Sequence, residues 1–182
     1  MESKSDLRER AWKLRDGIPE ATRAAASAAL CTRVEAFCTS RRLRRVGAFW
    51  PLGSEVDLRP LIQGHPEGMF WFPRVVSTDP PRLAWGTEPL QPGLWGLMEP
   101  VITQHFTPPV ELLLVPGLAF DDRGYRVGYG KGYYDTVLER LGEDVITMGA
   151  CFQAQAVDHV PEEMHDQPVD WLATEARIRD LR

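Results

Sequence analysis

ELLLVPGLAFDDRGYRVGYGKGYYDTVLER, Glu111 to Arg140, is the stretch on which the fold turns. Its opening, ELLLVPGLAF (111–120), is apolar at successive positions, too uniform for a strand with one wet face, and predicts a central strand of a parallel sheet. A glycine-rich basic turn follows, with Gly128, Gly130 and Gly132 around Lys131, Arg126 ahead of it and Asp135 behind. A helix is predicted from about Lys131 to Leu141. Backbone that can approach an anion, two cations to neutralise it and a carboxylate fit to hold a metal form a set suited to a nucleoside triphosphate.

The turn belongs to neither common phosphate-loop class. A Walker A loop needs glycine at position 125 and Ser or Thr after the lysine, where this chain has Tyr125 and Gly132. The dinucleotide fingerprint fails because Tyr133 stands where its third glycine belongs. A bare Gly-x-Gly often does no more than join strand to helix. Arg126, Lys131, Tyr133, Tyr134 and Asp135 crowded around this one favour an anion site.

Working outward, helices are predicted over 4–16 and 19–40, with Pro19 in the first turn and Leu30, Val34 and Phe37 forming a buried stripe. VGAFWP (46–51), GMFWFPRVV (68–76), LAWG (83–86), VITMGACF (145–152) and WLATE (171–175) read as strands, and 57–63 as a brief helix. The proline- and glycine-rich segment 88–110 reads as a surface loop. Strands alternating with helices predict an α/β three-layer sandwich with a mostly parallel central sheet, one domain over 1–182. Ligands in such sheets sit beyond the carboxyl ends of the strands. That rule gathers 51–55, Pro73-Arg74, 116–135 and Gln153 into one cleft.

Bulk properties exclude several classes. The 182 residues, 43% hydrophobic and 26% charged, suit one soluble domain with a real core. A net charge of -5 argues against general nucleic-acid binding, so any anion site is a local basic pocket. RRLRR (41–45) reads as a solvated basic helix end. Cys31, Cys38 and Cys151 have no disulfide-framework spacing, and no apolar run reaches membrane-spanning length; a cytoplasmic protein is expected, with no membrane partner.

At this point the motifs resemble those of the 5-formyltetrahydrofolate cyclo-ligase family. VPGLAFDDRGYRVGYGKGYYD (115–135) is similar to its central motif. K-x-x-L-R appears as Lys4, Leu7 and Arg8, FWPLGSEVD (49–57) carries Glu55, and FPRV (72–75) and GLWGLMEP (93–100) follow. FQAQAVDHVPEEMHDQPVDWLATE (152–175) keeps the family's Gln, Pro, His-Asp and Thr-Glu order. Many members have a glycine where Lys131 stands, and the lysine adds a cation to the turn.

The resemblance implies a Rossmann-like fold and ATP- and Mg²⁺-dependent conversion of 5-formyltetrahydrofolate to 5,10-methenyltetrahydrofolate. It assigns ATP to Lys4, Ser5, Asp6, Leu7 and Arg8 and to Arg126, Val127, Gly128, Tyr129, Gly130, Lys131, Gly132, Tyr133 and Tyr134, with Lys131 and Arg126 offsetting the developing charge. Glu55 is expected to bind the pterin, with Trp95, Tyr129 and Tyr133 against the substrate and Phe120 a further aromatic candidate. Asp135 and Asp166 are the metal carboxylates, Asp170 competing for the second place. A monomer or weak dimer is expected. Two other readings stand beside this one: a binding protein on the same fold that no longer turns over, and a sugar-phosphate isomerase or CoA-transferase-like enzyme. Glu55, Lys131 and Asp135 together argue against the first; the Lys4/Arg8 helix has no use in the second.

Overall fold

The computed structural model describes residues 2–66 and 68–182. Helix α1 (Lys4–Asp16) begins at a capping box, the Ser3 hydroxyl accepting from the Asp6 amide at 3.2 Å while the Asp6 carboxylate accepts from the Ser3 amide. Helix α2 (Glu20–Arg41) buries Leu30, Val34 and Phe37 along the expected stripe, with Cys31 and Cys38 on the same face. Then come β1 (Val46–Gly47), α3 (Arg59–Gln63), β2 (Phe70–Thr78), β3 (Pro81–Gly86), β4 (Leu90–Pro92), β5 (Met98–Pro100), β6 (Leu112–Val115), β7 (Ala119–Phe120), β8 (Arg126–Val127), α4 (Tyr133–Leu138), β9 (Ile146–Ala150), β10 (Trp171–Ala173) and β11 (Ile178–Asp180).

Seven strands form one sheet in the order β11-β10-β9-β6-β1-β2-β3. The five inner strands pair in parallel, and β3 and β11 close the edges antiparallel. Strand β6 is central, as its uniform apolarity requires. Leu112 and Leu114 join Val46, Leu30 and Val34 on one face; Leu113 and Val115 join Trp85, Val137 and Leu172 on the other. All four β6 side chains are fully buried, each worth about 2 kcal/mol of apolar transfer. Gly47 is required beside them, because a Cβ there would stand 2.6 Å from Leu113 Cδ1.

The structure differs from expectation where local chemistry interrupts a run. The predicted strand 111–120 divides at Pro116-Gly117: β6 ends at Val115, and Ala119-Phe120 pairs instead with Arg126-Val127 in a separate hairpin. The segment 88–110 holds the β4–β5 hairpin. Helix α4 starts at Tyr133, not Lys131, because Gly130 (φ +80°) and Gly132 (φ +71°) take left-handed conformations just ahead of it. Strand β1 is shorter than 46–51, although the Ala48 amide still bonds to the Trp71 carbonyl at 2.8 Å.

From β1 the chain passes to β2 on one side, while β6 lies on the other. A crevice at the carboxyl ends of β1 and β6 follows from that change of direction.

Candidate active site

Two loops leave the sheet at this crevice. The one after β6 is pinned by buried Gln155, whose Nε2 donates to the carbonyls of Gly117 (3.0 Å) and Leu118 (2.9 Å). The one after β1 carries Glu55. Its Oε1 accepts from the Tyr129 hydroxyl at 2.6 Å, its Oε2 accepts from the Leu52 amide at 2.9 Å, and Arg15 Nη1 stands 3.8 Å from Oε1. The side chain is only 7% exposed. Burial pushes the Glu55 carboxyl up, against the lowering by Tyr129, the Leu52 amide and Arg15. Burial and the neighbouring Glu55 also push the Tyr129 phenol up. Arg15, Phe49, Glu55, Gly117 and Gln155 line a narrow cleft here.

The β7–β8 hairpin presents the glycine turn. Its tip is tied by fully buried Asp121, which accepts from the amides of Arg123, Tyr125 and Val160, each at 3.0 Å. Arg8 reaches the turn from α1, Nε donating to the Gly128 carbonyl at 2.9 Å. A Cβ on Gly130 would lie 3.3 Å from the Arg8 guanidinium. Lys131 is exposed on the turn. Buried Arg126 donates Nη1 to the Gln167 carbonyl (2.8 Å) and Nη2 to Asp135 Oδ1 (3.0 Å). Burial weakens its hold on the proton, and Asp135 works the other way.

Tyr134 lies between the two ends. Burial, then Glu55, pushes its phenol up, while Arg126 pulls it down. Its hydroxyl is buried with no hydrogen-bond partner among the described residues. Tyr133 is partly buried 6.3 Å from the Trp95 ring, and Trp95 itself is 54% exposed on a 3-10 turn. Phe120 is fully buried in the core, away from any ligand role.

The expected nucleotide residues on α1 do not all turn the same way. Lys4 pairs with Asp166 and, at 3.2 Å, with Glu163. Leu7 is fully buried against Ala11 and Leu118, and Val127 shares that cluster, so neither side chain faces a ligand; only the backbone of Val127 is available. Ser5 is exposed, and exposed Asp6 serves the helix cap.

Asp135 and Asp166 both face Arg126. Asp135 Oδ1 and Asp166 Oδ2 carry the hydrogen bonds described, which leaves the second oxygen of each open among the described residues. A carboxylate oxygen is the hard donor that magnesium takes beside phosphate oxygens, while Arg126 and Lys4 compete with an ion for the charge of these two. One candidate ligand atom from each of Glu163, His165 and Asp166 lies within 4.8 Å of the others, a group that does not include Asp135. Asp170 is committed elsewhere, its Oδ2 accepting from the Thr147 amide (3.0 Å) and hydroxyl (2.8 Å).

Sequence reasoning missed Arg15. It is 2% exposed on α1, donating Nε to Ser54 Oγ and Nη1 to the Tyr129 hydroxyl, both at 2.9 Å. The signal lay in spacing: Arg8 and Arg15 are two helical turns apart, on one face.

A parallel sheet with a cationic glycine turn on one side of its switch point and a buried carboxylate on the other defines an α/β protein with a two-lobed crevice. A family model of the 5-formyltetrahydrofolate cyclo-ligase family matches residues 1–175, and the chain belongs to that family. The 5-formyltetrahydrofolate cyclo-ligase of Mycolicibacterium smegmatis is 30% identical over 188 residues, covering 96% of this chain and 95% of that one. The Mus musculus protein of the same name is 36% identical over 94 residues, 50% of this chain and 44% of the mouse chain. The matches thus span about half the length of the mouse and fission-yeast relatives, 44% and 52%. The solved structure of Aquifex aeolicus 5,10-methenyltetrahydrofolate synthetase superposes with a TM-score of 0.84 at 32% identity, over 98% of this chain and 93% of that one.

Proposed function

We propose that this chain acts as one catalytic domain and converts 5-formyltetrahydrofolate to 5,10-methenyltetrahydrofolate at the expense of ATP. One observation carries the reading. Tyr129, a residue of the glycine turn itself, bonds directly to Glu55, so an anion-binding half and a hydrogen-bonding half form one continuous site. The names of the relatives point to the same reaction.

The N5 formyl group is an amide, a poor electrophile whose oxygen leaves poorly. Transfer of the ATP γ-phosphoryl to that oxygen releases ADP and makes the carbon an iminium-like centre. N10 then attacks, the C–O bond breaks, phosphate departs with the oxygen, and the N10 proton passes to solvent. Catalysis of this kind is positioning and charge neutralisation. The amides of Gly128, Gly130 and Gly132 approach phosphate oxygens where no side chain intervenes. Lys131, Arg8 and Lys4 offset charge from the two sides of the turn. Arg126 acts through Asp135, holding its carboxylate toward the phosphates. Asp135 and Asp166 would hold Mg²⁺, which supplies charge neutralisation across the phosphate oxygens when bound. Glu55 accepts from the pterin N–H groups, and the buried, unpartnered Tyr134 hydroxyl lies between the Glu55 and Arg126 ends of the crevice. Tyr133 and Trp95 cover the outer side.

Mixing the protein with 5-formyltetrahydrofolate and Mg-ATP should raise the near-ultraviolet absorption of the methenyl product, with one ADP per product. Neither band nor ADP would overturn the reading.

A further inference from the structure

The chain of contacts behind Glu55 has a direction. Asp16 accepts from the Ser54 hydroxyl, and that hydroxyl accepts from Arg15 Nε. Arg15 Nη1 donates to the Tyr129 hydroxyl at 2.9 Å, and that hydroxyl stands 2.6 Å from Glu55 Oε1. A guanidinium has no acceptor, so the phenol proton has one place to go, the carboxylate. The Leu52 amide takes the other carboxylate oxygen. Each Glu55 oxygen therefore has one bond made and one lone-pair position left.

Resting on the folate reading above, we propose that Arg15 is a positioning residue of this site. Acting through Tyr129, it presents Glu55 as an oriented carboxylate with one free acceptor position on each oxygen. That arrangement takes a ligand with two parallel N–H donors, as the pterin amino group and ring N–H provide. Burial alone opposes an ionised Glu55. The groups that bear on it are Arg15 from α1, Tyr129 from the turn, Tyr134 from α4 and the Leu52 amide of its own loop. Arg15 is the cation among them, 2% exposed and 3.8 Å from Glu55 Oε1, with its direct hydrogen bond made to the phenol.

The test measures folate and ATP affinity separately by titration calorimetry, as a function of pH, together with the unfolding midpoint. Wild-type protein is read first: failure to bind 5-formyltetrahydrofolate would sink the function proposed above and this inference with it. Given wild-type binding, Arg15→Gln should weaken folate binding about ten- to a hundredfold and leave ATP affinity within about twofold. The acid limb of folate binding should move to higher pH, because Glu55 loses the charge that favours its ionised form. Arg15→Lys should restore the limb while recovering only part of the affinity, since an ammonium cannot span Ser54 and Tyr129 as the planar fork does. Tyr129→Phe, which keeps the ring in place, should weaken folate binding and shift its acid limb in the same direction as Arg15→Gln. Combined with Arg15→Lys it should cost less than the sum of the two, because both act through one hydroxyl. The Lys and Phe variants carry the test if Arg15→Gln does not fold. A lowered unfolding midpoint with folate affinity and acid limb unchanged would make Arg15 a structural brace and overturn the proposal.

Discussion

Glu55 and Asp135 are two carboxylates given opposite surroundings. Glu55 sits in the cleft with three groups favouring its charge, and burial still prevails, raising its proton affinity. The folded state therefore holds that proton more tightly than the unfolded chain. Its contribution to stability is present below the ordinary glutamate range and is lost as pH rises through the raised folded value. Glu55→Gln removes this titration. Its stability relative to the parent should improve as pH rises above the ordinary glutamate range of about 4, read by urea unfolding at each pH, while folate affinity falls. A parallel dependence in both proteins would show that Glu55 does not titrate differently on folding. Asp135 is paired to Arg126 and one-quarter exposed. Asp135→Asn keeps an acceptor for the guanidinium but loses the charge, so turnover should fall at least about a hundredfold with an unchanged circular dichroism spectrum. Retained turnover would remove Asp135 from the metal role.

At the scale of elements, the glycine turn is set by backbone conformation as much as by charge. Gly130→Ala places a Cβ at φ +80°, costing about 1–2 kcal/mol, and crowds the Arg8 guanidinium. ATP affinity should drop while folate affinity changes less; equal losses would mean that the turn serves both ligands alike. The turn was legible in the sequence because glycine, lysine and aspartate each carry a chemical meaning at that spacing. So was β6, since Leu112 to Val115 can only be buried on both faces. The β4–β5 hairpin was not, because three-residue strands rich in proline have no readable period. Neither was the β7–β8 pairing, which depends on Asp121 folding the tip back and not on the strands' own composition. Arg15 escaped for a related reason. An arginine on a helix is ordinarily solvated, and only the packing of α1 against the turn reveals that this one is dry. Leu7 erred the other way, its place in a motif hiding its place in the core.

For the whole molecule, the parallel core is the reservoir of stability and the crevice is where it is spent. Leu114→Ala should cost about 2–5 kcal/mol in urea unfolding, a large part of a small domain's total, while the folded fraction keeps its turnover. The three buried thiols report the same core. Burial pushes Cys31 and Cys38 up to about 11 and raises Cys151 as well. At pH 8 alkylation should therefore follow unfolding, all three reacting together as urea rises; reaction of one thiol in native buffer would reveal local opening. The Tyr129–Glu55 bond has a consequence of another kind. A nucleotide that displaces the turn must carry the Tyr129 hydroxyl with it, and a ligand that draws on Glu55 must pull on the turn. By thermodynamic reciprocity, whatever factor one ligand applies to the affinity of the other is returned unchanged. On the proposed function, the 2.6 Å between a phenol and a carboxylate would make the two ligands readers of each other's presence within one crevice.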